Sequence, residues 1–121
     1  MPYDDQNIFA KILRGEIPCD KIYEDDFVLS FYDINPQKKI HALIIPKGKY
    51  IDLDDFNTNA SDKEIIGLMK GITAVSKKLG ISSIDGNGYR ALANISDFGG
   101  QEVPHLHFHL FGGEKVGKMV S

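Results

Sequence analysis

Histidine and large apolar residues alternate without a break near the C-terminus: His105, Leu106, His107, Phe108, His109, Leu110, Phe111. A period of two sends successive side chains to opposite faces of an extended strand, with same-face neighbours roughly 7 Å apart. The spacing therefore predicts a final strand over 105–111, with the three histidines on one face and Leu106, Phe108 and Leu110 on the other. The apolar face belongs to a core. Three imidazoles on one face are poorly suited to burial, because every ring nitrogen needs a partner and the ring charges near neutral pH. They are expected to line a polar cleft. The fourth histidine, His41, opens a β-rich run from Ile40 to Ile45 that ends at Pro46.

The rest of the chain supplies partners for these strands. From Asn7, the apolar residues Ile8, Phe9, Ile12 and Leu13 recur at helical spacing and stop at Gly15, with Pro18 close behind. Runs over 21–23 and 27–32, separated by the acidic turn Glu24, Asp25 and Asp26, should pair with 40–45 as an antiparallel meander. Residues 50–60 are polar and read as irregular. Ser61 and Glu64 have the spacing of a capping box, so a long helix should start there. Its stripe is Ile65, Ile66, Leu68, Met69, Ile72, Val75 and Leu79, and Gly80 follows its end. Gly67 and Gly71, four apart, predict close packing of that helix on the sheet. A strand over 89–95 and a turn over 96–100 complete the chain. The reading is a single α+β domain over residues 1–121, with one core, two helices and a five-stranded, mainly antiparallel sheet.

Bulk properties narrow the partners. With 14 basic and 17 acidic residues the net charge is -3, so the chain has no general attraction to nucleic acid or to an anionic membrane. Any phosphate must be held locally. Cys19 is the only cysteine, which precludes an internal disulfide and favours a reducing compartment. The polar, acidic start has no basic-then-apolar leader, and no uncharged apolar stretch approaches the roughly 20 residues of a membrane span. A cytoplasmic location is expected.

Imidazole serves as nucleophile, as general acid or base, and as a cation beside an anion, which are the three demands of displacement at phosphorus. Gly99 and Gly100, before Gln101, would let backbone amides approach a phosphate closely. A competing reading of the same residues is a zinc site with His41 as fourth ligand. Cys19 has no local activating signature and is expected to be a small packing residue.

At this point the sequence resembles the histidine triad nucleotide-binding family, whose signature is His-apolar-His-apolar-His followed by two apolar residues. The match runs through His105 to Phe111 and extends over Ile8 to Ile12, Glu16 to Pro18, Phe31 to Pro36, His41 to Pro46, Gly88 to Arg90, Asn94, Gly99 to Gln101 and Gly112-Gly113. The resemblance implies that His107 is the nucleophile that attacks the α-phosphorus, giving a nucleotidyl-histidine that water cleaves without metal or other cofactor. It implies that His109 contacts phosphate oxygens and assists the leaving group, and that His41 and His105 orient His107. It places the base among Ile8, Phe9, Ile12, Phe31 and Ile34, the ribose hydroxyls on Asp33, and the phosphate near Asn94, Gly100, Gln101 and Val103. It further implies a homodimer with one continuous sheet, and a purine nucleoside 5′-phosphoramidate as substrate, because nucleotidyl transferases of the family usually carry glutamine in place of His109. The chain departs from many members at Pro104, where an aromatic residue is common and where proline cannot donate to a ladder, and at Glu102, where a hydroxyl residue is common. The rival reading is a nucleotide-binding regulatory module that acts through protein partners.

Overall fold

A computed structural model describes residues 2–119. Five strands, β1 (Lys21–Glu24), β2 (Val28–Tyr32), β3 (Ile40–Pro46), β4 (Arg90–Leu92) and β5 (Phe108–Gly112), form one sheet in the order β1-β2-β3-β5-β4. Every ladder is antiparallel. The meander β1 to β3 is as expected, and the last strand in sequence inserts beside β3, leaving β4 at an edge. Leu43, at the centre of β3, lies opposite both Phe31 and His109, so the site and the apolar core share one row of the sheet.

Period-two alternation buries both faces. On one, Val28, Ala42, Ile44, Leu106 and Leu110 pack with Leu68, Ile72 and Val75 of the long helix α3 (Asp62–Lys78). On the other, Leu29, Phe31, Leu43 and Ile45 pack with Phe9 of the short helix α1 (Ile8–Leu13). Two apolar clusters therefore replace the single core expected, because helices cover the sheet from both sides. The helix α3 begins with the capping box read from the sequence: the Ser61 hydroxyl accepts from the Glu64 amide while the Glu64 carboxylate accepts from the Ser61 amide. Gly67 and Gly71 do serve close packing, since a Cβ at Gly67 would lie 2.7 Å from the Phe27 side chain and one at Gly71 would lie 3.0 Å from Val28.

Three expectations need correction. Residues 53–59 form a third helix, α2 (Leu53–Asn59), capped by the Asp52 carboxylate on the Asp55 amide and fastened by the buried Phe56. It has no long apolar stripe to reveal it. The final strand starts at Phe108 rather than His105: Pro104 has no N–H, the His105 amide donates to Val103 and the Leu106 amide donates to Tyr50, so none of the three feeds a ladder. The strand predicted over 89–95 shrinks to Arg90–Leu92, whose partners are His109 to Phe111. Beyond Ala93, which falls opposite Phe108, the facing residues precede β5 and offer no strand to pair with. Among the described residues, no helix is long and apolar enough to cross a membrane.

Candidate active site

The four histidines converge on the α1 face of the sheet, but they are not the open polar row that alternation suggested. His105 is wholly buried, His41 is 2% exposed and His107 is 7% exposed. Burial is tolerable because the ring nitrogens find partners, and those partners dictate where the protons sit. A carbonyl only accepts, so His105 carries a proton on Nε2, 2.9 Å from the Pro46 oxygen, and leaves Nδ1 to accept from the Tyr3 hydroxyl at 2.5 Å. By the same logic His107 carries its proton on Nδ1, 2.8 Å from the His105 carbonyl. Its Nε2 therefore bears a lone pair. That nitrogen has no partner among the described residues, and no buried side-chain nitrogen or oxygen there lacks one, so it opens to the exterior.

His41 and His109 form a second chain. The Gln37 amide donates to His41 Nδ1 at 3.2 Å, which puts the His41 proton on Nε2, from where it is donated to His109 Nδ1 at 2.9 Å. The neutral His109 ring then holds its proton on Nε2. The His107 and His109 rings lie 5.1 Å apart between centroids, and Phe111 stacks on His109 at 5.7 Å with planes 4° apart. Thus the ring of His41 orients His109 rather than His107, and His105 holds His107 through its peptide carbonyl rather than its imidazole.

Desolvation lowers all four pKa values. Burial, with a smaller push from His107, takes His105 down to about 4. Burial with the neighbouring His107 and His41 takes His109 to about 4. His107 is lowered by burial against the opposing pull of its bond to His105 and of the Asp33 and Glu102 carboxylates. His41 is lowered by burial and partly supported by Asp33, whose Oδ2 is 3.5 Å from Nε2. Asp33, His41 and His109 each offer one donor atom, all within 4.8 Å of one another, and these three could hold a metal ion. A metal would have to displace the proton shared by the two rings.

The residues assigned to the nucleoside divide. Phe9, Phe31, Ile12 and Val103 belong to one apolar cluster, with Phe9 and Phe31 edge to face at 5.7 Å and Phe9 edge-on to His107 at 4.9 Å. Ile8 and Ile34 are not part of it; they are 40% and 86% exposed. Asp33 stands next to His41. In the 96–101 turn the expected backbone cradle is already spent: the Gly100 amide donates to Asp97 and the Gln101 amide to Ser96. The Gln101 side chain is also engaged, accepting from the Ser96 amide and donating to the Ile51 and Val103 carbonyls. It braces the wall of the site. Asn94, by contrast, is half-buried with its side-chain amide outside the protein's hydrogen-bond network among the described residues. Cys19 packs beside the same apolar cluster.

Sequence reasoning missed Tyr3, the Gln37 amide and the Pro46 carbonyl. Backbone groups leave no trace in composition, and Tyr3 is a lone aromatic in a polar stretch.

Comparison with known proteins is consistent with this architecture. The HIT domain family matches residues 14–116. A HIT-like protein of 13.2 kDa from Azospirillum brasilense is 48% identical over 119 residues, covering 98% of this chain and 95% of the relative. The purine nucleoside phosphoramidase of Escherichia coli K12 is 41% identical over 117 residues, covering 97% and 95%. The solved structure of a HIT family hydrolase from Clostridium thermocellum superposes with a TM-score of 0.85 at 35% identity, over 98% of this chain and 99% of that one. With this sheet, this histidine cluster and relatives matched along nearly their whole length, the chain belongs to the HIT domain family.

Proposed function

We propose that the protein is a nucleotidyl hydrolase that cleaves purine nucleoside 5′-phosphoramidates through a covalent nucleotidyl-His107 intermediate. The observation that carries this reading is the His107 tautomer: with Nδ1–H given to the His105 carbonyl, the lone pair on Nε2 faces outward beside His109. The name of the Escherichia coli relative and that of the Clostridium thermocellum hydrolase support the reaction class.

In the first step Nε2 of His107 forms a bond to the α-phosphorus as the bond from phosphorus to the leaving nitrogen breaks. The departing amine takes a proton from His109, which acquires it when the anionic phosphate enters and offsets the cost of a buried cation. In the second step water attacks the phosphorus, the P–N bond to His107 breaks, and a nucleoside monophosphate leaves. His109, now neutral, accepts the proton of the attacking water. Phe9, Ile12 and Phe31 would cover the base, with Ile8 and Ile34 as its exposed rim, and the Asp33 carboxylate would accept from the ribose hydroxyls. Asn94 has an amide free to meet the phosphate, and Val103, Gly100 and Gln101 shape the wall beside it. The chemistry uses no metal or cofactor, and the lone half-buried Cys19 fits a cytoplasmic setting. The edge position of β4 further suits a homodimer in which two sheets join edge to edge.

The test is release of AMP from adenosine 5′-phosphoramidate by chelator-treated protein and by its His107→Ala variant. Turnover should vanish in the variant while AMP binding persists. If neither form turns over and both bind AMP, the hydrolase reading falls and a nucleotide-binding regulatory module takes its place.

A further inference from the structure

One of the two partners of the buried His105 ring is a residue that lies outside the span matched by the family, residues 14–116. Tyr3 precedes α1, yet its hydroxyl sits 2.5 Å from His105 Nδ1 and its ring meets the imidazole edge to face at 5.6 Å. The segment that carries it is tied down: the Asn7 amide and side chain both donate to the Asp4 carbonyl, and the Asn7 side chain caps α1 through the Ala10 amide. The same helix brings Phe9 against both His105 and His107. Burial raises the Tyr3 pKa, so the phenol keeps its proton and acts as donor.

His105 is thereby held at both ring nitrogens, by Tyr3 on Nδ1 and by Pro46 on Nε2, while its peptide oxygen receives Nδ1–H of His107. Each contact selects one tautomer of the next group. A donor on His105 Nδ1 leaves the ring only Nε2–H, the same tautomer that the Pro46 carbonyl selects, so the ring is fixed from both sides. That bond immobilises the residue whose carbonyl points the His107 lone pair outward. We infer that Tyr3 is a positioning residue for His107, acting through His105 without touching substrate. The inference rests on His107 being the nucleophile, and it extends the functional site to the segment before α1.

The Tyr3→Phe variant removes the hydroxyl and keeps the ring, and Tyr3→Leu removes both. Two readings are taken on the full-length protein: phosphoramidate turnover with kcat and KM separated, and long-range 1H–15N correlation spectra of the imidazoles without ligand. For Tyr3→Phe, kcat should fall about tenfold, the rate equivalent of one buried hydrogen bond, with KM unchanged. The His105 Nδ1 resonance, stripped of its donor, should shift while Pro46 keeps the proton on Nε2, and the Nδ1–H population of His107 should fall as the carbonyl that holds it loosens. Tyr3→Leu reports the additional contribution of packing. Unchanged turnover in Tyr3→Phe, or lost turnover with both imidazole patterns intact, overturns the assignment. The spectra need no substrate, so they still decide the Tyr3 link if wild-type protein fails to hydrolyse phosphoramidates and the proposed reaction falls.

Discussion

An imidazole kept neutral by burial takes up a proton most readily when an anion arrives beside it. His109 is such a ring, held near a pKa of about 4 by desolvation and by two neighbouring histidines. A bound phosphate supplies the opposing charge, so AMP binding at neutral pH should be accompanied by net proton uptake. Calorimetry in buffers of different ionisation enthalpy measures it directly. The uptake should shrink in His109→Gln, and a binding heat that does not depend on the buffer would remove His109 as the proton carrier. The same ring shows why residue-level reading from sequence went only part of the way. The histidine pattern named His107 and His109 as candidates, but which nitrogen faces outward is decided by carbonyls and amides, at Pro46, His105 and Gln37, that carry no identity in the sequence.

Among the elements, the 96–101 turn separates two uses of glycine. A Cβ at Gly99 would lie 2.4 Å from the Ile95 carbonyl oxygen, whereas Gly100 has open space around it and a φ of 77°. Gly99→Ala must push backbone apart and should cost about 1–3 kcal/mol. Gly100→Ala meets only the left-handed backbone penalty, about 1 kcal/mol. Urea midpoints of the two variants check the order, and equal losses would contradict the backbone clash. The meander of β1 to β3 was legible from its β-rich runs and the acidic turn between them, and the long helix because its stripe repeats a period several times and α3 announces its start at Ser61 and Glu64. The helix α2 was not, since one buried Phe56 and an Asp52 cap make no period. The true start of β5 was hidden for a different reason: the alternation from His105 is real as side-chain order, but the backbone donors there are spent on Val103 and Tyr50.

The whole molecule carries the thermodynamic cost of a neutral histidine cluster. His105 and His109 have folded pKa values of about 4 against 6.5 for the free side chain, so the unfolded chain binds more protons between those values. Stability is therefore full above pH 6.5 and is lost as pH falls towards 4, by on the order of a few kcal/mol in sum. Paired surface carboxylates such as Glu24, lowered to about 2, titrate below this window. Urea midpoints followed from pH 7 to pH 4 should drop, and a flat profile would show that the histidines are not buried as neutral rings. Mass in solution tests the proposed edge-to-edge homodimer, and a monomer at micromolar concentration counts against it. Finally, β5 is the last in sequence of the described strands and lies between β3 and β4, while β4 has no other partner in the sheet. During translation, therefore, β3 keeps an unpaired flank until β5 emerges. Tyr3 meanwhile waits for a residue 102 positions away. A histidine cluster braced by segments 102 positions apart in sequence cannot assemble until both are present, so a fragment that lacks either has no means of fixing the His105 ring.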